Sequence, residues 1–227
     1  MKKALIQITI LAVLLFTQTT VTFAFYNDVP EDHTYYQAIH TLEGEGLLPD
    51  SELFYPDKLL TKTELYKLLL TYAQSRLTLD INLPYTDTDN QADYAPYLQT
   101  AINLGILKPP GKKTAMGINN TITKHQTLAI MFNSLGIGID YFFEKNNFPF
   151  KDLNKDSAIA ALAFKTYELG ILEEGKPQYF KMAKRITKAE AINYLYKIHN
   201  YAPSATITFT ISTDGSKTYD SAQQELL

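Results

Sequence analysis

The sequence predicts an all-α protein: three helix–loop–helix repeats packed on one another, followed by a short β-prone C-terminal tail. Three observations carry that prediction. A Thr-Lys-x-Glu/Gln motif recurs as LTKTE at 60–64, ITKHQ at 122–126 and ITKAE at 186–190, with its threonines 62 and 64 residues apart. Upstream, Asp28, Asp87 and Asp152 recur in step with Gly46, Gly105 and Gly170, both sets at spacings of 59 and 65. Between these markers the apolar residues follow helical rather than alternating periodicity. Self-similarity at a fixed period is the mark of a repeat architecture, and it sets units at 25–75, 83–137 and 148–201.

The elements follow in order. Lys2 and Lys3 precede an apolar run of 13 residues, ALIQITILAVLLF, and then TQTTVTFA, with small residues at Thr22 and Ala24. That pattern predicts a secretory signal peptide over 1–24, cleaved after Ala24; an uncleaved membrane anchor is the alternative. The first helix of each unit is clearest in the second, where Tyr94, Tyr97, Leu98, Ala101, Ile102 and Leu104 share a face. It ends at Gly105, which can adopt the positive φ that closes a last turn. A loop of variable length follows. The second helix starts at Thr61, Thr123 or Thr187, each an N-cap, with Glu64, Gln126 or Glu190 reaching back to complete a capping box. Its apolar face runs through Leu65, Leu68, Leu69 and Tyr72 in the first unit, and through Ala191, Ile192, Leu195, Tyr196 and His199 in the third. No such helix pair can bury its apolar face alone, so the units should pack together. In the tail at 202–227, Thr206, Thr208 and Thr210 alternate with Ile207, Phe209 and Ile211, a period-two strand pattern.

Totals narrow the function. A net charge of -3 argues against nucleic acid as a partner. The absence of cysteine removes disulfides and thiolate metal sites. The cap motif leaves a question, because none of its hydrogen bonds needs Lys62, Lys124 or Lys188. A cation at the first helical position is disfavoured by the helix dipole. It becomes sensible if an anion shares the site, drawn by unpaired amides and the positive helix end; the plain alternative is a solvated surface charge.

The stretch FYNDVPEDHTYYQAIHTLEGEGLL, together with FYPDKLLTKTELYKLL, resembles a repeat of the S-layer homology (SLH) family. The likeness extends over 25–201 in three copies. It implies a pseudo-threefold spindle of helix pairs and a secreted envelope protein that binds an acidic cell-wall polysaccharide or peptidoglycan-linked polymer non-covalently. It further implies that Lys62, Lys124 and Lys188, standing where the family favours Arg, face inter-repeat grooves and meet the acidic sugar. Tyr35 and Tyr94 lie one place after positions where the family carries Trp, here Thr34 and Asp93, and are expected to stack on sugar. The alternative function is a structural or interaction protein of the envelope that no longer binds glycan, with the tail adding a strand to a protein partner.

The remaining candidates read plainly. Asp28, Asp87 and Asp152 are expected to serve as turn or cap residues at the first helix of each unit. DTDNQAD at 87–93 and DLNKDS at 152–157 lack the glycine and bidentate glutamate of a calcium loop. His33, His40, His125 and His199 sit at unrelated repeat positions with no metal-ligand spacing. No two acids are placed together for hydrolytic chemistry, and no nucleophile elbow or phosphate loop is present. The reading is a binding protein, not an enzyme, with no cofactor and no metal.

Overall fold

A computed structural model describes residues 25–112, 114–139, 148–172 and 179–201, together with the strand residues 210–211 and 217–218. The signal segment 1–24, the expected cut after Ala24 and most of the 202–227 tail lie outside the described residues.

The described fold is helical. Six helices form three sequential pairs: α1 (Tyr36–Gly44) with α2 (Lys62–Tyr72), α3 (Ala95–Asn103) with α4 (Lys124–Ser134), and α5 (Ala158–Glu168) with α6 (Lys188–Tyr201). In the tail, β1 (Thr210–Ile211) pairs antiparallel with β2 (Lys217–Thr218), Thr210 opposite Thr218.

Local sequence accounts for both ends of the helices. The first helix of each pair closes on a glycine in the left-handed region, with φ of 70° at Gly46, 70° at Gly105 and 61° at Gly170. The bonds are those of a Schellman cap: Gly46 N–H donates to Glu43 O at 2.8 Å and Leu47 N–H to Leu42 O at 2.9 Å. Ser157 caps α5 by accepting the Ala160 N–H at 3.1 Å. Thr61 caps α2 reciprocally: its hydroxyl accepts the Glu64 N–H at 3.2 Å, while its own N–H donates to Glu64 Oε2 at 2.9 Å. Thr187 and Glu190 repeat both bonds at 3.1 Å on α6. On α4, Thr123 N–H donates to Gln126 Oε1 at 3.0 Å.

Packing runs between pairs. α2 packs on α3, α4 on α5, and α6 returns to α1, so the last helix meets the first; α2 also touches α4. Leu65, Leu68, Leu69 and Tyr72 of α2 are buried, as are Ala191, Ile192 and Leu195 of α6. The main core joins all three pairs, and a second cluster sits where Tyr66 and Leu70 of α2 meet Leu98 and Ala101 of α3.

The chain just before α2, α4 and α6 binds these pairs at the centre. Leu59 bridges Thr187, Thr61 bridges Thr121, and Thr123 bridges Arg185, each antiparallel. Leu60 N–H donates to Ile186 O at 2.9 Å, and Ile122 N–H to Leu60 O at 3.0 Å. The side chains of Leu60, Ile122 and Ile186 are buried within the same core. No helix among the described residues is long and apolar enough to cross a membrane.

Candidate functional site

The three cap motifs all sit at this central junction, and their surroundings answer the lysine question differently from the sequence reading. The first amide of each of these helices is occupied. On α6, Lys188 N–H donates to Lys58 O at 2.9 Å, Ala189 N–H to Pro56 O at 3.0 Å, and Glu190 N–H to the Thr187 hydroxyl. On α4, Lys124 N–H donates to Lys184 O at 2.8 Å and His125 N–H to Met182 O at 3.3 Å. On α2, Lys62 N–H donates to Asn120 O at 3.4 Å. The expectation of unpaired amides waiting for an anion is therefore corrected. Turns of neighbouring pairs supply carbonyls to these N–H groups, so any anion recognition here falls to side chains.

The aspartates are corrected as well. They do not cap the first helix; each clamps the turn that leads into the second. Asp28 Oδ1 and Oδ2 accept the N–H groups of Phe54 and Tyr55 at 2.7 and 2.6 Å. Asp87 accepts from Met116 at 2.6 Å, Gly117 at 2.7 Å and Ile118 at 3.3 Å. Asp152 accepts from Phe180 at 2.8 Å and Lys181 at 2.7 Å. Burial alone would push the Asp87 carboxyl up, but its amide donors outweigh that and hold it below the usual carboxylate range.

The clamped turn places an apolar residue seven positions before each capping threonine: Phe54, Met116 and Phe180, all buried. Two of the lysines reach across a junction to the neighbouring pair's phenylalanine. Lys188 Nζ lies 4.5 Å from the Phe54 ring centroid and donates to the Phe54 carbonyl; Lys124 Nζ lies 5.5 Å from the Phe180 centroid. A cation over an aromatic face is worth about 0.5–2 kcal/mol depending on desolvation. Burial lowers the pKa of Lys188 from the usual lysine value, with Glu64 pulling the other way.

These lysines edge two clefts. The first, about 420 Å³, brings Lys188 of the third pair and Tyr94 of the second to the turn of the first, where Tyr55 and Leu53 are exposed. Four of its other charges pair off, Lys58 meeting Glu64 at 2.9 Å and Lys67 meeting Asp93 at 3.1 Å, while Asp50 lines the same cleft. Burial pushes the Glu64 carboxyl up, yet the Lys58 ammonium and the Thr61 N–H and hydroxyl prevail and leave it below the usual range. The second cleft, about 280 Å³, brings Lys124 of the second pair and Tyr35 of the first to the turn of the third, among Lys181, Lys184, Tyr179 and Tyr194. Its one acidic side chain among the described residues, Glu190, is held by Lys184 and by the Thr187 N–H.

Four of the five expected ligand residues therefore fall into two clefts, Lys188 with Tyr94 and Lys124 with Tyr35. Lys62 lines neither. The Tyr94 hydroxyl also accepts the Asp89 N–H at 2.9 Å. Sequence reasoning missed Tyr55, Tyr179, Lys181 and Lys184. Their signal was the turn itself, whose apolar residue keeps a constant distance from the threonine while the loop before it varies. Among the histidines, His199 joins α6 to the first pair, its Nε2 3.1 Å from Glu45 Oε2 and its Nδ1 3.1 Å from the Tyr72 hydroxyl. Among the described residues no group of histidines and acids is arranged to hold a metal. No protein-family model matches the chain, and no curated protein matches it.

Proposed function

We propose that this chain is a secreted cell-envelope protein that binds an acidic wall polysaccharide non-covalently, through clefts between three diverged copies of one SLH-like unit set around a pseudo-threefold axis. The repeat arrangement is supported by the recurrence of the same contacts: each clamp, the bond from the first N–H of each second helix and each junction bridge has its counterpart in the other pairs.

One observation carries the functional reading. Among the described residues, the second cleft gathers Lys124, Lys181 and Lys184 with one carboxylate, Glu190, which Lys184 already engages, and flanks them with Tyr35, Tyr179 and Tyr194. Lysine ammonium groups recognise an acidic sugar as point charges, and tyrosine rings offer flat apolar faces with a polar edge.

Sedimentation of the mature chain with isolated bacterial wall fragments tests this. The chain should pellet at low ionic strength and be released as salt screens the ammonium groups. A Lys124→Ala/Lys184→Ala variant should lose about tenfold or more in affinity, whereas Lys62→Ala should bind as the parent does. Equal pelleting of all three proteins would remove the cleft from the account.

A second reading is favoured by Lys188, whose contacts with the Phe54 ring and carbonyl make it an inter-pair tie as it stands. If all such lysines act as ties, the chain is an envelope assembly protein. It would then fail to pellet with wall fragments, and removing 202–227 would change its oligomer size.

A further inference from the structure

The turn leading into each second helix contains one residue with left-handed backbone: Tyr55 at φ 59°, Gly117 at φ 75° and Lys181 at φ 55°. Glycine takes this conformation freely, and L side chains avoid it. The second helix pair follows that rule; the first and third do not. In all three, an aspartate carboxylate accepts the N–H of the left-handed residue and of the residue before it. The clamp thus imposes on a tyrosine and a lysine a geometry suited to glycine. Backbone strain persists only where the surroundings over-determine it, and it clusters at recognition sites. Both strained residues share a destination: Tyr55 lines the first cleft and Lys181 the second.

We propose that this left-handed position sets what each cleft recognises, and that the two clefts take chemically different parts of the polymer. The assignment rests on the glycan-binding reading. Tyr55, 54% exposed in a cleft where Asp50, Glu64 and Asp93 balance Lys58, Lys67 and Lys188, is a platform for an uncharged sugar face. Lys181, beside Lys124 and Lys184, is the cation for a carboxylate-bearing sugar. Gly117 contributes no side chain, so the corresponding turn of the second pair is a spacer. Asp28 and Asp152 are positioning residues that aim Tyr55 and Lys181.

Glycine substitution tests this cleanly, because it deletes the side chain and relaxes the backbone together. Binding of the mature chain is measured on native bacterial wall fragments and on the same fragments after their carboxyl groups are amidated. Lys181→Gly should weaken binding to native fragments about tenfold and match the parent on amidated fragments. Tyr55→Gly should weaken binding several-fold on both. Each variant should be at least as heat-stable as the parent, which a purely structural role would not allow. Unchanged binding by either variant, a Tyr55→Gly loss that vanishes on amidation, or a lowered melting temperature overturns the assignment while leaving wall binding in place. A parent that binds no native fragments overturns the glycan reading and this assignment with it.

Discussion

Glu43 shows how a single residue records its surroundings. It lies on α1, nearly buried, and its Oε1 accepts the Tyr26 N–H at 2.7 Å. Burial raises its pKa above the usual glutamate value, with the Tyr26 hydrogen bond opposing. An acid whose folded pKa is raised contributes stability that is complete below its unfolded pKa and is lost as pH rises through the folded one. The charge is thus a cost near neutral pH. Glu43→Gln keeps an acceptor for Tyr26 and removes the charge. It should unfold at a higher temperature than the parent at pH 7, with the difference gone by about pH 4. A variant less stable at pH 7 would mean the carboxylate has a favourable partner. Lys188 makes the complementary point. Its place at a helix start was plain in the sequence, but the Phe54 ring it covers is 134 residues away, and no local pattern announces a contact of that span.

At the scale of elements, capping and clamping divide along the same line. The Thr–Glu boxes are confined to four residues, so spacing alone revealed them, each worth about 1 kcal/mol. The glycine stops were legible for the same reason. The aspartates were not, because their partners lie 26 to 31 residues downstream across loops of unequal length; only their recurrence was visible. The clamp makes a quantitative expectation. Asp152→Ala leaves the Phe180 and Lys181 amides without their acceptor and should cost about 2 kcal/mol in urea unfolding, whereas Asp152→Asn, which keeps one acceptor, should cost less. A loss below about 0.5 kcal/mol for alanine would mean water replaces the carboxylate and the turn holds its shape without it.

For the molecule as a whole, the helical class and the buried faces of α2 and α6 could be read from periodicity, because amphipathic spacing reports burial directly. Which helix meets which could not. Each pair leaves its own two helices to pack elsewhere, α2 on α3, α4 on α5 and α6 on α1, so the chain's last described helix closes on its first. That closure fills the first helix-start amides that sequence reasoning had left open, since the accepting carbonyls of Lys58, Asn120 and Lys184 come from neighbouring pairs. It also builds each cleft from three pairs at once, which is why Lys124 and Tyr35, 89 residues apart, share one. The central claim is that this closure presents lysine charge and tyrosine faces together to an acidic glycan. Its most direct test is amide and side-chain chemical-shift mapping of the mature chain as a solubilised acidic wall polymer is added. The account predicts saturable, salt-sensitive shifts concentrated at Tyr35, Lys124, Lys181, Lys184 and Tyr194. Shifts that are absent, or that gather on surfaces away from both clefts, would contradict it.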